Sequence, residues 1–203
     1  HRSGALGFDH INADVSTLPE ALKKGGYYNA LIGKETHVVP SRAAAFDMRI
    51  SSEELGPGRS IAQYSKGVRQ ARTDALAAGK PWFIMANLHD PHRPFAGSDQ
   101  EKWRPRPTVS RTFLPEEVPV PDFLPDLPEV RQEIAEYFTS VHRADEIVGA
   151  ILAEIDNAGD RDNTLVLFMS DHGMSLPFAK TNCYYASNHI PWIVRWPDVV
   201  APN

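Results

Sequence analysis

Residues 164–174 read TLVLFMSDHGM. Thr164 to Met169 prefer extended backbone, and the run Val-Leu-Phe-Met does not alternate with polar residues. An unbroken apolar run of this length predicts a strand covered on both faces, as in a parallel sheet. Ser170-Asp171-His172-Gly173 follows at once. A carboxylate and an imidazole therefore stand side by side where the chain must turn. In open α/β sheets, ligands bind outside the carboxyl ends of the strands. This stretch thus bears on both the fold and the chemistry.

Working outward, the segment before it carries Val130, Ile134, Phe138, Val141, Val148, Ile151, Leu152 and Ile155 at spacings near three and four. That periodicity predicts a long amphipathic helix from Pro128 to about Gly159. After it come a loop, a short helical turn near 181–187 and a further strand, IPWIVRW. Upstream, TLPEALKKGG (17–26) predicts a short helix with Thr17 as cap and a double glycine stop. YYNALIGK predicts a strand ending at Gly33-Lys34, and Ser60 to Gly79 a helix. KPWFIMANLHDPHRPF predicts a buried strand running into a proline-rich loop. Residues 101–130 hold seven prolines and little periodicity, and predict a surface excursion. Apolar strands separated by helices give the fold class: α/β, a mostly parallel sheet flanked by helices. The expected organisation is one domain over 1–203.

The bulk properties narrow the function classes. The chain has 203 residues, 42% hydrophobic and 23% charged, with formal net charge −5. That composition is globular, and no basic run offers a footprint for nucleic acid. Apolar runs are of strand length, short of the roughly 20 residues of a membrane-spanning helix. Cys183 is the only cysteine, so neither an internal disulfide nor a cysteine cluster for zinc can form. The chain begins at His1 with no initiator Met or signal peptide and ends at RWPDVVAPN. It is expected to be part of a longer protein.

Polar groups follow three of the strands. Lys34 and His37 come after the first; His89, Asp90, His92 and Arg93 after the next; Asp171, His172 and then Lys180 after the strand at 164. A parallel sheet would gather these sets at one edge. Asp171 and His172 can each donate to a divalent ion. Lys34 and Lys180 suit a tetrahedral oxyanion such as phosphate or sulfate. His89 and His37 can move protons or hold substrate oxygens. Each has a plainer alternative. An Asp after a strand often caps the next helix, a loop histidine is often only hydrogen-bonded, and a lone lysine is usually solvated. His142 and Asp145 in the long helix read as structural. Three strands ending in such groups favour a functional site.

The ordered set GYYNALIGK, PWFIMANLHDPHRPF, YFTSVHRADEIVGAILAEI, NTLVLFMSDHGM, AKTN and PWIVRWP resembles the type I sulfatases of the alkaline phosphatase superfamily. The likeness extends from about residue 4 to 198 and is nearest in flavour to the heparan N-sulfatase (sulfamidase) branch. It implies hydrolysis of a sulfate ester or sulfamate, on a small molecule or a glycan, by a formylglycine made from the cysteine of a C-x-P-S-R motif. It implies a divalent cation, calcium first and manganese or zinc as the alternative, held in part by Asp171 and His172. Lys34 would contact the sulfate, His89 the leaving-group side, and Lys180 the metal-bound oxygens; His37 resembles the histidine after the G-K lysine. A sulfated small molecule or glycan is the implied partner, and a periplasmic or secreted location accords with the resemblance.

Departures are visible. GKETH spaces lysine and histidine by three, where the family has G-K-x-H. His189 stands before IPWIVRWP where the family often has Arg, and its role is unassigned. An imidazole at position 172 is a softer ligand than calcium prefers. No C-x-P-S-R occurs; VVPSR at 38–42 has Val38 in the cysteine position and lies after the G-K strand. HRSGALGF resembles the segment after the nucleophile helix, which puts nucleophile and further metal aspartates upstream and leaves the isolated chain without turnover. Two other readings stay open: a phosphodiesterase or phosphonate monoester hydrolase of the same superfamily, and a non-catalytic sulfatase-like protein that binds an anionic glycan.

Overall fold

Strand β1 (Tyr28–Ile32) is the centre of a three-stranded parallel sheet in the order β2-β1-β3, with β2 at Met48–Ile50 and β3 at Trp82–Ala86. The computed structural model describes residues 12, 14–102 and 106–201. The opening segment HRSGALGF, His1 and His10 lie outside the described residues. Two compact units are present, His1–Asp90 with Glu146–Ile151, and Pro91–Asp145 with Leu152–Asn203.

In the first unit, β1 runs in register with β3 from Tyr28 opposite Trp82 to Ile32 opposite Ala86. Ala30, Leu31 and Ile32 are buried, as a central parallel strand requires. Helices α1 (Leu18–Lys24) and α2 (Ile61–Ala77) pack on this sheet. Ser60 caps α2, its hydroxyl accepting from the Gln63 N–H. Gly67 lets α2 approach closely: a Cβ there would stand 2.8 Å from Ile50 Cδ1. The short strand β2 has no counterpart in the sequence reading, because Met-Arg-Ile offers too short a pattern.

The VVPSR segment has a structural task. Residues Pro40–Ala45 form a 3-10 turn, and the Arg42 guanidinium reaches Glu20 at the start of α1, at 2.7 Å. Glu20 also accepts from the Thr17 N–H and hydroxyl, each at 2.8 Å. The Thr17 N–H and then Arg42 hold the Glu20 carboxyl down at about 2, below its ordinary 4.5. A carboxyl lowered on folding stabilises the fold above its unfolded value, and that contribution fades as pH falls from 4.5 toward 2. Between those limits Glu20→Gln should flatten the pH dependence of thermal unfolding. An unchanged slope would show the contacts to be without thermodynamic weight.

The second unit holds the short helix α3 (Asp99–Lys102) and most of α4 (Pro128–Asn157), which realises the predicted helix almost residue for residue. Ile134 and Ala135 form a core with Val118 and Leu176, joined by Phe113, Leu124, Val130, Phe138 and Met174. The proline-rich excursion therefore contributes core side chains, beyond the surface role expected of it. It is tied to α4 by Phe113 N–H to Thr139 Oγ1 at 3.0 Å, by Arg131 to the Val118 carbonyl at 3.2 Å, and by buried Arg143 to the Pro107 carbonyl at 3.0 Å.

Strand β4 (Val166–Met169) departs from expectation. It pairs antiparallel with β5 (Trp192–Arg195) in a separate two-stranded sheet, from Val166 opposite Arg195 to Met169 opposite Trp192. Leu167, Phe168 and Met169 are 47%, 40% and 48% exposed, so neither face is fully covered among the described residues. The apolar run shows that the strand can be buried twice over; it does not supply what covers it. Phe168→Ala in this chain should accordingly cost well below the about 3–5 kcal/mol of a fully buried aromatic. A urea titration giving the full penalty would mean that the ring is covered in solution.

Candidate active site

At the end of β1, Gly33 and Lys34 both take left-handed backbone, with φ of 79° and 51°. Only glycine fits at 33, since a Cβ would lie 2.4 Å from the Asn87 carbonyl oxygen. Lys34 pays the cost of a non-glycine residue in this region, an arrangement that clusters at functional sites. Its N–H donates to Ser52 Oγ at 2.9 Å, and Ser52 is itself fixed by its N–H to the Glu35 carboxylate at 2.9 Å. His37 sits in the 3-10 turn Glu35–His37, its N–H bonded to the Lys34 carbonyl at 2.9 Å, and is exposed.

Because β1 and β3 are parallel and in register, Lys34 and His89 emerge at the same edge of the sheet. The Asn87 N–H donates to the Ile32 carbonyl at 2.8 Å and its side-chain amide to the Gly33 carbonyl at 3.2 Å, which joins the two strand ends. His89 is half-buried, with its N–H on the Gly58 carbonyl at 3.1 Å. Asp90 is buried against Arg59, Nε to Oδ1 at 2.7 Å. Asp90 is thus a structural partner, a role its position after the strand did not reveal. The Tyr64 hydroxyl donates to the Asn87 carbonyl at 2.6 Å, and burial and then the Asp90 charge push its pKa well up, so it stays a donor.

In the second unit, Asp171 and His172 end β4 together, with Oδ2 and Nε2 3.6 Å apart. No helix starts at Asp171; the next, α5 (Tyr185–Asn188), lies well beyond it. The helix-cap reading of Asp171 is therefore set aside. The His172 Nδ1 faces the Gly173 carbonyl at 2.8 Å. A carbonyl only accepts, so Nδ1 carries the proton and Nε2 keeps its lone pair in the neutral ring. Gly173 is enclosed by backbone: a Cβ would stand 2.0 Å from the Ala186 oxygen and 2.6 Å from the Ala179 oxygen. The glycine of SDHG thus allows the loop bearing Lys180 to lie directly against the Asp171-His172 turn. Lys180 is half-buried, its carbonyl accepting from Thr181 Oγ1 at 2.8 Å and Asn182 Nδ2 at 2.9 Å. Arg93 adds a tie within this unit, donating to the Ser175 carbonyl at 3.1 Å.

The structure therefore brings Lys34 and His89 to one sheet edge in the first unit, with His37 a turn beyond, and Asp171, His172 and Lys180 to one loop cluster in the second. His142 is structural, with Nε2 2.9 Å from Ser110 Oγ and its ring edge-on to Phe113. His189 stacks on Tyr185 at 4.5 Å. Gly58, Arg59, Tyr64 and Ser52 went unnoticed in the sequence, and Gly173 was seen only as the last letter of SDHG; GPGR at 56–59 was the local signal for Gly58 and Arg59, a turn with two glycines. Among the described residues, no three His, Cys, Asp or Glu side chains gather as a metal-holding group. Nor is any helix among them long and apolar enough to cross a membrane.

A parallel sheet flanked by helices, with basic and imidazole groups at its carboxyl edge, defines an α/β protein whose candidate ligand site lies at the strand ends. The chain belongs to the sulfatase family, whose family model matches residues 2–203. It is 32% identical to human N-sulphoglucosamine sulphohydrolase over 98% of the chain and 43% of that protein. A structure from work on the metabolism of multiple glycosaminoglycans by Bacteroides thetaiotaomicron superposes with a TM-score of 0.66 at 19% identity, over 91% of this chain and 48% of that one. The lipoteichoic acid synthase LtaP of Listeria monocytogenes gives a TM-score of 0.60 at 19% identity, over 93% and 48%. The chain thus spans less than half the length of each of these proteins.

Proposed function

We propose that the protein containing this chain hydrolyses a sulfate ester or a sulfamate, with an N-sulfated aminosugar or a glycan that carries one as the substrate class. The observation that carries the reading is the match to the sulfatase family along the whole chain, and the 32% identity to an N-sulphoglucosamine sulphohydrolase supports the substrate class. Lys34 binds the sulfate oxygens. His89 protonates the departing oxygen or nitrogen, which would otherwise leave as a strong base. Lys180 offsets the negative charge gathered around the sulfuryl group. His37, exposed one turn beyond Lys34, contacts substrate oxygens.

Asp171 and His172 suit a divalent cation: one oxygen and one nitrogen donor 3.6 Å apart are close enough for a single ion to touch both. Such an ion, calcium first and manganese or zinc as the alternative, would supply Lewis-acid charge to the sulfate oxygens. Its further ligands would come from outside the described residues. A formylglycine from outside this sequence would supply the nucleophile, so the 203-residue chain alone is expected to show no turnover. The imidazole donor at 172 favours one second reading, a phosphodiesterase or phosphonate monoester hydrolase using manganese or zinc.

The test is a paired assay on the full-length protein with N-sulfoglucosamine, an aryl sulfate and an aryl phosphate diester, with each metal supplied in turn. Preferred turnover of the sulfated compounds supports the proposal. Faster hydrolysis of the diester favours the second reading. Binding of the sulfated sugar with no turnover of any substrate points to a non-catalytic protein.

A further inference from the structure

Three neighbouring contacts converge on the loop that carries His89. Gly58, at φ +73°, accepts the His89 N–H at 3.1 Å, and a Cβ on Gly58 would stand 2.8 Å from His89 Cβ. Arg59, the next residue, donates Nε to Asp90 Oδ1 at 2.7 Å, with both side chains fully enclosed. Tyr64, one turn into α2, holds the Asn87 carbonyl at 2.6 Å and lies 3.4 Å from the Gly58 carbonyl. Residues 87, 89 and 90 are thus each gripped from the stretch 58–64. So much fixation exceeds what a loop at a strand end needs in order to turn, and loops with few such ties are the mobile ones.

We propose that Gly58 and the Arg59–Asp90 pair are a positioning device that fixes the imidazole of His89 on the leaving-group side of the substrate. This rests on the reading of His89 as the group that protonates the leaving atom. A general acid acts only from hydrogen-bond reach, so an ångström of displacement removes most of its contribution. Gly58 permits the approach, and the buried ion pair prevents the loop from relaxing away from it. Arg59 and Asp90 touch no substrate in this scheme; they act through His89.

Leaving-group dependence distinguishes this role from a general loss of folded enzyme. An aryl sulfate with an acidic phenol needs little protonation as it departs, whereas a sulfamate or an alkyl sulfate needs it strongly. In the full-length protein, Gly58→Ala and Arg59→Lys should each lower kcat by at least about 10-fold on the poor leaving group, a fraction of the about 10²–10⁴ that a placed acid contributes. On the activated aryl sulfate the loss should stay within about 3-fold. His89→Ala serves as reference and should show the same split, larger. Should Gly58→Ala fail to fold, Arg59→Lys, which keeps the charge, carries the comparison. Equal losses on both substrates in Gly58→Ala and Arg59→Lys, or none, beside a clear split in His89→Ala, would overturn the positioning role and leave the role of His89 intact. No split in His89→Ala would sink both.

Discussion

Asp171→Asn in the full-length protein should lower both the bound divalent metal and kcat/KM, the latter by at least about a hundredfold. The substitution keeps the shape of the side chain and one oxygen donor but removes the negative charge that attracts a cation. It also separates two roles that sequence alone left level. Asn caps a helix about as well as Asp does, so a cap would tolerate the change. No helix begins at Asp171, and its side chain is 74% exposed beside His172 Nε2. Stability of the fold should therefore move little while metal content falls. Elemental analysis of the purified variant with steady-state kinetics checks both halves. Wild-type metal content together with wild-type turnover would remove Asp171 from the site.

What the sequence revealed follows from how local each signal is. Helix α4 was legible because its burial repeats every three to four residues over 30 residues. Strands β1 and β3 were legible from short apolar runs ended by glycine or by a polar cluster, and the residues after them fell at one edge as the parallel rule demands. Strand β4 had the same apolar signature and a different outcome. Its pairing with β5 is antiparallel and Phe168 is 40% exposed, an outcome that no local run encodes. The candidate site divides in the same way. Lys34, His89, Asp171 and His172 announced themselves by position after strands. Gly58 and Gly173 did not, because the need for glycine arises from a close approach between residues far apart: Gly58 to His89, and Gly173 to Ala179 and Ala186. Asp90 looked like a candidate for chemistry and is consumed by Arg59. An isolated carboxylate in a sequence does not show whether a cation elsewhere already claims it.

That pair sets the largest expected stability effect in the 203-residue chain. Arg59→Met should destabilise the first unit by about 3–5 kcal/mol, since it leaves Asp90 enclosed without its closest cationic partner. Arg59 and Asp90 have no exposed side-chain surface, so water cannot replace the lost bond without opening the loop. The guanidinium also donates to the Pro57 carbonyl at 3.2 Å, which adds a second bond to the loss. For a chain of this size the penalty corresponds to a fall in Tm of roughly 10 °C. The double variant Arg59→Met, Asp90→Leu decides the origin of the cost. Two apolar groups in the same space remove the stranded charge, and buried pairs replaced in this way are often no less stable than the originals. The double variant should therefore recover much of the lost stability while the His89 loop loses its ionic tie. If Arg59→Met alone unfolds at the wild-type temperature, the pair is not buried in solution. If the double variant is as unstable as the single, the cost comes from packing of the arginine stem and its carbonyl contact, and the charge on Asp90 is already satisfied by other means.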